Sequence, residues 1–386
     1  MRVLFVNCSR HPSGADVSMA TMIQHLPDSV ESQVLTHWRM RLGGLLELPA
    51  DRLYRDYAMP YVLTTRAAGR YTWLQFAAHL AKFPTPLWTL ARLRRRQAFD
   101  LVHVNDTPGI AYALAASLLG LPAVLHVRAQ VDLGRRGAEL LDVLASRERT
   151  AFVAIDDEVA HTLSQRCQAK TRVVHNPVHF PRAPTERDRA RKRAAWNVPL
   201  DCTLVGQVAN LYAYKGVWQV LELAEVLCRE RQDLHFVLVG MDPPGGEGAA
   251  LRHAAHQRGL ADRFHLVGYE PDQVAVYAAL DVALCLFGEG LGGIGRTAFE
   301  AAALGKPVVA TLPGAARSTT FPHEQAGLVF EPAERGPLTA ALRALVTSKA
   351  AREALGQRAQ DWIGTRHAPE RVAAAHAALY RELTTR

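Results

Sequence analysis

A glycine-rich stretch at residues 287–311, with the sequence FGEGLGGIGRTAFEAAALGKPVVAT, contains the residues best suited to chemistry. Its glycine-dense start leads into an alanine-rich segment and then, through Gly305-Lys306-Pro307, into a short apolar run, which predicts a loop, a helix and a strand. The first N–H groups of a helix lack partners within it and lie at the positive end of its dipole. The stretch is therefore suited to a phosphate-bearing ligand, and a plain connection between helix and strand is the alternative.

Glu300 is a lone carboxylate among alanine and phenylalanine in the predicted helix, so it faces either solvent or a ligand with hydroxyl groups. The segment resembles the donor-site signature of retaining glycosyltransferases of the GT-B fold, family four. That signature reads Glu, seven residues, Glu, and then Ala-x-Ala-x-Gly-x-Pro-Val-Val-Ala. The resemblance implies that a nucleotide-sugar donor is bound by Glu300, at the second glutamate, and by the preceding residues Ile294, Gly295, Arg296 and Thr297.

The first glutamate of the signature is missing, because its position is occupied by Gly292. The nearest acid is Glu289, three residues earlier in a loop that contains five glycines. Two interpretations stay open. Either the flexible loop bends so that Glu289 takes over the contact to the donor sugar, or the donor lacks a hydroxyl group at that place.

A second candidate loop, residues 209–216 with the sequence ANLYAYKG, follows a predicted strand and leads into a helix. A lysine at a helix entry can hold a diphosphate as a point charge, and Lys215 is in that position. In the resembled family this loop supplies an arginine and a lysine, but the arginine position is Asn210, and Arg296 is a candidate to restore the charge. Tyr269 follows a strand where the resemblance implies contact with the nucleotide base.

The N-terminal half offers two further candidates. Gly14 belongs to Ser13-Gly14-Ala15-Asp16, which stands where the family carries a Gly-Gly-Ala-Glu-like turn facing the donor, and a plain strand-to-helix turn is the alternative. The family's active-site histidine lies six residues after a proline, and that position is Arg128, our candidate catalytic residue together with Lys215. His126, two residues earlier, should point the same way along a strand.

These residues are positioned by alternating strands and helices, which predict parallel sheets. We expect an α/β fold with two doubly wound Rossmann-like domains facing across a cleft (GT-B) and a C-terminal helix crossing back to the first domain. The proline-rich and charged segment at residues 181–193 marks the boundary. The expected domains are residues 1–180 on the acceptor side, 181–365 for the nucleotide sugar, and 366–386 for the returning helix.

The composition, 49% hydrophobic and 21% charged over 386 residues, is typical of a globular protein. The five cysteines are scattered and form no CxxC pair, and no Asp-x-Asp metal motif is present, so we expect a cytoplasmic protein without structural zinc, cofactor or required metal. The N-terminus does not resemble a signal peptide, and the longest uncharged stretch is divided by Gly120-Leu121-Pro122. The net charge of +8 favours anionic partners.

Residues 38–99 are rich in arginine, tyrosine and tryptophan, and residues 88–96 have the composition of a basic amphipathic helix. Such a helix can lie on the inner face of an anionic membrane or contact a phosphorylated acceptor. The alternative is a solvated helix face covered by long arginine side chains. We expect no nucleic-acid partner.

The leading hypothesis is a metal-independent, hexosyltransferase-type retaining glycosyltransferase that uses a nucleotide diphosphate sugar and an unknown acceptor, whether glycan, lipid-linked or natural product. Catalysis would depend on positioning and on neutralising the leaving diphosphate by Lys215 and the amides of residues 294–297. The alternatives are a nucleotide-sugar epimerase or sugar phosphorylase on the same fold, and a nucleotide-sugar-binding protein without transfer activity.

Overall fold

The computed structural model describes residues 1–10, 13–40, 48–60, 81–129, 134–288, 294–314 and 318–385. The chain divides into two compact units, unit 1 (Met1–Pro177 with Arg366–Arg386) and unit 2 (Val178–Thr365). Each unit is built on one parallel sheet that is covered by helices. The predicted fold class, α/β with two doubly wound units, is confirmed.

Unit 1 starts with the predicted apolar strand. Its elements up to residue 177 are β1 (Arg2–Asn7), α1 (Gly14–Gln24), β2 (Glu31–His37), β3 (Leu53–Asp56), α2 (Pro84–Arg96), β4 (Leu101–Val104), α3 (Ile110–Leu118), β5 (Ala123–Val127), α4 (Gly134–Ala145), β6 (Thr150–Ala154), α5 (Asp157–His161), α6 (Gln165–Gln168) and β7 (Thr171–Val173).

The sheet of unit 1 has the strand order β3-β2-β1-β4-β5-β6-β7, and all its pairings are parallel. The winding direction reverses between β1 and β4. Doubly wound sheets bind ligands at the carboxyl ends of their strands next to such a reversal. Asn7 ends β1 and Asn105 directly follows β4, so the polar residues at this point of unit 1 belong to the region where a ligand is expected.

Unit 2 repeats the alternation of strands and helices. Its elements are α7 (Glu186–Ala195), β8 (Thr203–Val208), α8 (Val217–Glu230), β9 (Leu234–Val239), α9 (Gly248–Gln257), β10 (Phe264–Val267), α10 (Gln273–Ala279), β11 (Val282–Cys285), α11 (Arg296–Ala303), β12 (Val308–Thr311), β13 (Leu328–Phe330), α12 (Arg335–Thr347) and α13 (Lys349–Arg366).

The sheet of unit 2 has the order β10-β9-β8-β11-β12-β13 and is also parallel throughout. Its winding reverses between β8 and β11. The loop after β8 contains Lys215, and the loop after β11 is the glycine-rich one, so both predicted donor loops leave the sheet at the reversal. Helices cover both faces of the sheet, and strands such as β9 (LHFVLV) are therefore buried at every position.

The last helix, α14 (Pro369–Thr385), belongs to unit 1 although it follows the whole of unit 2 in the chain. It packs against α1, where the hydroxyl of Tyr380 lies 3.9 Å from the sulfur of Met22. Its side chains join the same apolar cluster as Val3 and Phe5 of β1. None of the described helices combines the length and the apolarity needed to cross a lipid bilayer.

Candidate functional site

The glycine-rich loop of unit 2 ends at the N-terminus of α11, as the sequence predicts. Gly295 is the residue before the helix, and no side chain caps the helix at that point. A Cβ on Gly295 would lie 3.2 Å from Phe287 and 3.3 Å from Cys285, so the backbone there is closely packed. Ile294, Arg296 and Thr297 are partly buried around it. The predicted roles of Glu289 and Gly292 lie outside the described residues.

Lys215 lies directly against the beginning of this loop. Its Nζ atom is 4.6 Å from the ring centre of Phe287 and 5.3 Å from that of Tyr214. Burial lowers the pKa of Lys215 below its ordinary value, and the Cys285 thiol opposes the shift, while no carboxylate contributes to it. The side chain is thus a partly buried cation held over aromatic rings, available for an anionic ligand.

The main chain next to Lys215 is fixed by Gly216. Gly216 adopts φ = 66°, a left-handed conformation that favours glycine. A Cβ at this position would also lie 2.9 Å from the carbonyl carbon of Leu286. The loop after β8 therefore approaches the loop after β11 backbone to backbone, and the glycine that follows the lysine makes this approach possible.

Gln207 joins the two loops from the end of β8. Its Nε2 donates to the carbonyl oxygen of Lys215 at 2.5 Å, and its Oε1 accepts from the amide of Leu286 at 2.9 Å. Thr311 holds the next residue in the same way, because its Oγ1 accepts from the amide of Phe287 at 2.7 Å. Sequence reasoning missed both residues, although a glutamine inside the apolar strand TLVGQV was a detectable signal.

Glu300 meets partners within unit 2 through both of its oxygens. Oε1 accepts from Nε of Arg296 at 2.8 Å, and Oε2 accepts from the hydroxyl of Tyr277 at 3.2 Å. The two members of the ion pair are only 16–18% exposed. Arg296, which the sequence suggested as a replacement cation for the diphosphate, is thus paired with Glu300, and a carboxylate keeps lone pairs for further hydroxyl donors.

Asn210 and Tyr269 lie at neighbouring strand ends of unit 2. The Oδ1 of exposed Asn210 accepts from the amide of Met241 at 3.3 Å, which ties its loop to the loop after β9. Tyr269 follows β10 and is 67% exposed. The structure places both at the carboxyl edge of the sheet, as their sequence positions imply, but gives neither of them a contact with Lys215.

In unit 1, a chain of polar side chains connects the carboxyl ends of the strands. The carboxylate of Asp16 accepts from Nδ2 of Asn7 at 2.7 Å, and the Oδ1 of Asn7 is 3.4 Å from Nδ2 of Asn105. Arg128 donates through Nε to the side-chain and main-chain oxygens of Asn105, at 2.9 and 2.8 Å, and through a terminal nitrogen to Oδ1 of Asn176 at 2.5 Å. The guanidinium is therefore fixed in direction.

Two residues near Arg128, His126 and Asp106, have different surroundings from those of the guanidinium. His126 is 2% exposed and turns inward against His103 rather than towards the strand ends. Asp106 is partly buried and accepts from the amide of Thr107 at 2.7 Å. Burial raises the pKa of Asp106, although nearby N–H groups and the charge of Arg128 oppose the shift.

Gly14 is exposed and is the first residue of α1. The neighbouring Ser13 donates to Oδ2 of Asp16 through both its amide, at 2.7 Å, and its hydroxyl, at 2.6 Å. This reciprocal capping explains the Ser-Gly-Ala-Asp turn in structural terms. Asp16 is therefore buried and bonded within the protein, whereas Ser13 and Gly14 are exposed.

The predicted basic and aromatic region is described in part. Arg66, Arg70, Tyr71 and Trp73 lie outside the described residues. In α2, Trp88 is 63% exposed and the guanidinium of Arg92 lies 5.2 Å from the centre of its ring. Leu90 is buried, so the helix is amphipathic, with arginines and one tryptophan on the outer side.

Fold and site together define an α/β protein with polar and glycine-rich loops at the winding reversals of two parallel sheets. Residues 12–181 match the family described as Glycosyltransferase Family 4, and residues 188–362 match Glycosyl transferases group 1. A similar protein is the 2-deoxystreptamine glucosyltransferase of Streptomyces kanamyceticus, 30% identical over 312 residues, which cover 73% of this chain and 76% of that protein. The chain therefore belongs to the glycosyltransferases that these two family descriptions cover.

Other relatives extend the comparison. The D-inositol 3-phosphate glycosyltransferase of Corynebacterium urealyticum is 28% identical over 208 residues, 52% of this chain and 48% of that protein. Among solved structures, Anabaena HepE in complex with UDP superposes with a TM-score of 0.78 over 99% of this chain and 100% of that chain, at 19% identity. Sucrose-phosphate synthase of Thermosynechococcus elongatus gives 0.70 over 100% of both chains, at 16% identity. The structural likenesses establish the GT-B fold.

Proposed function

We propose that this protein is a retaining glycosyltransferase that moves a sugar from a nucleotide diphosphate sugar to an acceptor hydroxyl group. The observation that carries the proposal is the environment of Lys215. This partly buried cation has no carboxylate partner among the described residues, and Gln207 holds it against the loop that leads to α11. Such an arrangement is suited to a diphosphate.

We propose a uridine diphosphate donor. HepE of Anabaena has been solved with UDP and with UDP-glucose, and the structural match covers 99% of this chain. The relative from Streptomyces kanamyceticus is named a glucosyltransferase. A thermal-shift comparison of UDP, GDP and their glucose and mannose derivatives tests the choice, and the largest stabilisation is expected with UDP-glucose.

The proposed reaction depends on charge and position. The bond between the anomeric carbon and the diphosphate oxygen breaks, and the acceptor oxygen bonds to the carbon on the same face. The leaving phosphate oxygen takes the acceptor's proton. Lys215 and the amides at the start of α11 stabilise the negative charge that develops on the leaving group. A fixed cation already serves the diphosphate, and we therefore propose that transfer proceeds without a divalent metal.

The roles of the remaining residues follow from their geometry. Glu300 would accept hydrogen bonds from the ribose while it keeps Arg296 and Tyr277. Gly14, Asn210 and Tyr269 would contribute to donor binding from their strand ends. Arg128 would act as a fixed positive group in unit 1, where the resembled family carries a histidine, because Asn105 and Asn176 hold its guanidinium in one direction.

We propose that the acceptor contains a hydroxylated ring. The names of two relatives contain 2-deoxystreptamine and D-inositol 3-phosphate, both of which are ring polyols or amino polyols. In unit 1, the exposed rings of Trp38 and Tyr57 stack at 5.9 Å just beyond β2 and β3, and Arg39 lies 4.9 Å from the Trp38 ring centre. An exposed aromatic face is suited to the apolar side of such a ring.

A nucleotide-sugar-binding protein without transfer activity is the second candidate. It is favoured by Asn210, which is uncharged where the family carries arginine, and by Arg128, which replaces the family's histidine. Donor turnover separates the two functions. Release of free sugar or of a glycosylated product from UDP-glucose supports the transferase, and tight binding of UDP-glucose without any release supports the binding protein.

The basic outer side of α2 supports a peripheral location at an anionic membrane surface. Trp88 is suited to the lipid–water interface, and the arginines that follow it are attracted by anionic headgroups. We therefore propose that the protein lies at the cytoplasmic surface of a membrane.

A further inference from the structure

Three histidines from distant parts of the chain meet inside unit 1. His103 lies on β4, His126 on β5 and His376 on α14, and each is at most 2% exposed. Their ring centres form a nearly equilateral triangle with sides of 5.4, 5.6 and 5.5 Å. One nitrogen from each ring lies within 4.8 Å of the others. This histidine triangle is separate from the donor loops of unit 2.

The hydrogen bonds of His376 and His126 leave two nitrogens without a partner. His376 Nδ1 is 2.8 Å from the carbonyl oxygen of Val372, which can only accept, so Nδ1 carries the proton and Nε2 presents a lone pair. His126 Nδ1 is 3.3 Å from Nε2 of His103. Within the described part of the chain, Nε2 of His376 and Nε2 of His126 are buried and make no hydrogen bond. A buried nitrogen without a hydrogen-bond partner is unfavourable.

The third ring is oriented by Tyr380. Its hydroxyl is 2.7 Å from Nδ1 of His103, and its ring meets that of His103 edge to face. A ligating histidine commonly donates its second N–H to a carbonyl or another oxygen, which fixes the ring and its tautomer. His376 has this arrangement with Val372. The hydroxyl oxygen of Tyr380 can accept the same bond from Nδ1 of His103.

We propose that His103, His126 and His376 form a binding site for a transition metal of the zinc class, which fastens α14 to the parallel sheet of unit 1. Three imidazoles with one open position are a known donor set for Zn²⁺. Zinc–nitrogen bonds of about 2.0–2.1 Å in a tetrahedron place the nitrogens about 3.4 Å apart, so the rings close inward on metal binding. Nε2 of His103 then exchanges its contact with Nδ1 of His126 for the metal ion. The role is structural and independent of the transfer reaction.

Burial and the positive charge of Arg128 determine the electrostatic environment of the histidine triangle. Burial lowers the pKa of all three rings, that of His376 to about 4, which favours the neutral imidazole. Arg128 is the charged group whose field reaches each ring. Its positive charge opposes a cation, and we expect Arg128→Gln to raise the apparent zinc affinity several-fold.

The test uses the full-length chain without an affinity tag, expressed with and without added Zn²⁺, freed of loosely bound metal with a weak chelator, and analysed for metal by mass spectrometry. We expect close to one zinc per chain and a melting temperature several degrees higher than that of the metal-free protein. Expression with Co²⁺ should give the intense visible absorption of a four-coordinate ion.

The matched variants are His376→Gln in the triangle and His265→Gln in unit 2. His265 is partly buried and lies against His235, with their nitrogens 3.1 Å apart and without a third histidine in the described part of the chain. Zinc should be lost from His376→Gln and kept by His265→Gln. If His376→Gln does not fold, His126→Gln replaces it, and the zinc content of the wild type decides if neither variant folds. Wild type without stoichiometric zinc, or equal zinc in both variants, would overturn the proposal and leave water in the triangle.

Discussion

Nε of Arg296 lies 2.8 Å from Oε1 of Glu300, one helical turn further along α11. The ion pair forms at the helix N-terminus where a donor diphosphate is expected, so the charge of Arg296 is already engaged and Glu300 is held in one orientation. The two residues should act as a unit rather than as separate contacts to donor phosphate and ribose.

We therefore predict that Glu300→Gln and Arg296→Gln each weaken UDP binding, by roughly 5- to 30-fold for the glutamate, and that the double variant loses less than the sum. Calorimetric titration of UDP into the four proteins measures the coupling. Loss of thermal stability in Glu300→Gln without loss of UDP affinity would make Glu300 a purely structural residue.

Lys215→Ala should weaken UDP binding about 10- to 150-fold, because a charge-assisted contact to the diphosphate is lost. Lys349→Ala is the matched control, since the Lys349 side chain is 80% exposed and pairs with Glu353 on its own helix. Unchanged affinity of Lys215→Ala for UDP and GDP would show that Lys215 does not contact the diphosphate.

The lowered pKa of Lys215 also predicts a pH dependence. The lysine is charged below its pKa in the folded protein, so its attraction for the diphosphate is present at neutral pH and is lost as the pH rises through that value. UDP affinity should fall at alkaline pH before an ordinary lysine would titrate. Lys215→Arg, which stays charged, should keep its affinity over the same range, and an identical decline in both proteins would contradict this explanation.

Trp38→Ala should raise the KM for a ring-polyol acceptor about 2- to 12-fold, because an aromatic ring proposed to contact the acceptor is lost. The affinity for UDP should stay unchanged. Tyr57→Phe keeps the stacked ring and serves as the control. Steady-state kinetics with 2-deoxystreptamine or D-inositol 3-phosphate provide the measurement. An unchanged KM for every acceptor that is turned over would place the acceptor elsewhere.

The outer side of α2 should bind vesicles that contain phosphatidylserine at low salt, and the binding should decline as salt screens the arginines. Trp88→Ala with Arg92→Gln should bind less, whereas vesicles of phosphatidylcholine alone should not bind the wild type. Co-sedimentation of the protein with the vesicles measures binding in each of these three cases. Partition of the protein with neither kind of vesicle would support a solvated helix face, and equal partition with both kinds would contradict an attraction by anionic headgroups.

The fold was largely predictable because its strands are compact apolar runs bounded by turn residues, and parallel sheets bury such runs on both faces. The loops after β8 and β11 were predictable from Gly216 and the glycines before α11, because a turn that needs glycine can be recognised from the local sequence. The pairing of Arg296 with Glu300 was not, since either residue could equally face a ligand. The histidine triangle was inaccessible to sequence reasoning, because His376 reaches His103 only through a helix that follows the whole of unit 2.

The proposed reaction transfers a sugar from a nucleotide diphosphate sugar with retention of the anomeric configuration. The most direct measurement is proton NMR of the reaction of wild-type protein with UDP-glucose, first with water and then with 2-deoxystreptamine or D-inositol 3-phosphate as acceptor, with Lys215→Ala alongside. We predict release of UDP, formation of a product with the α-configuration of the donor, and a much slower reaction in the variant. A β-configured product, or UDP-glucose that binds without any release of UDP, would contradict the assignment.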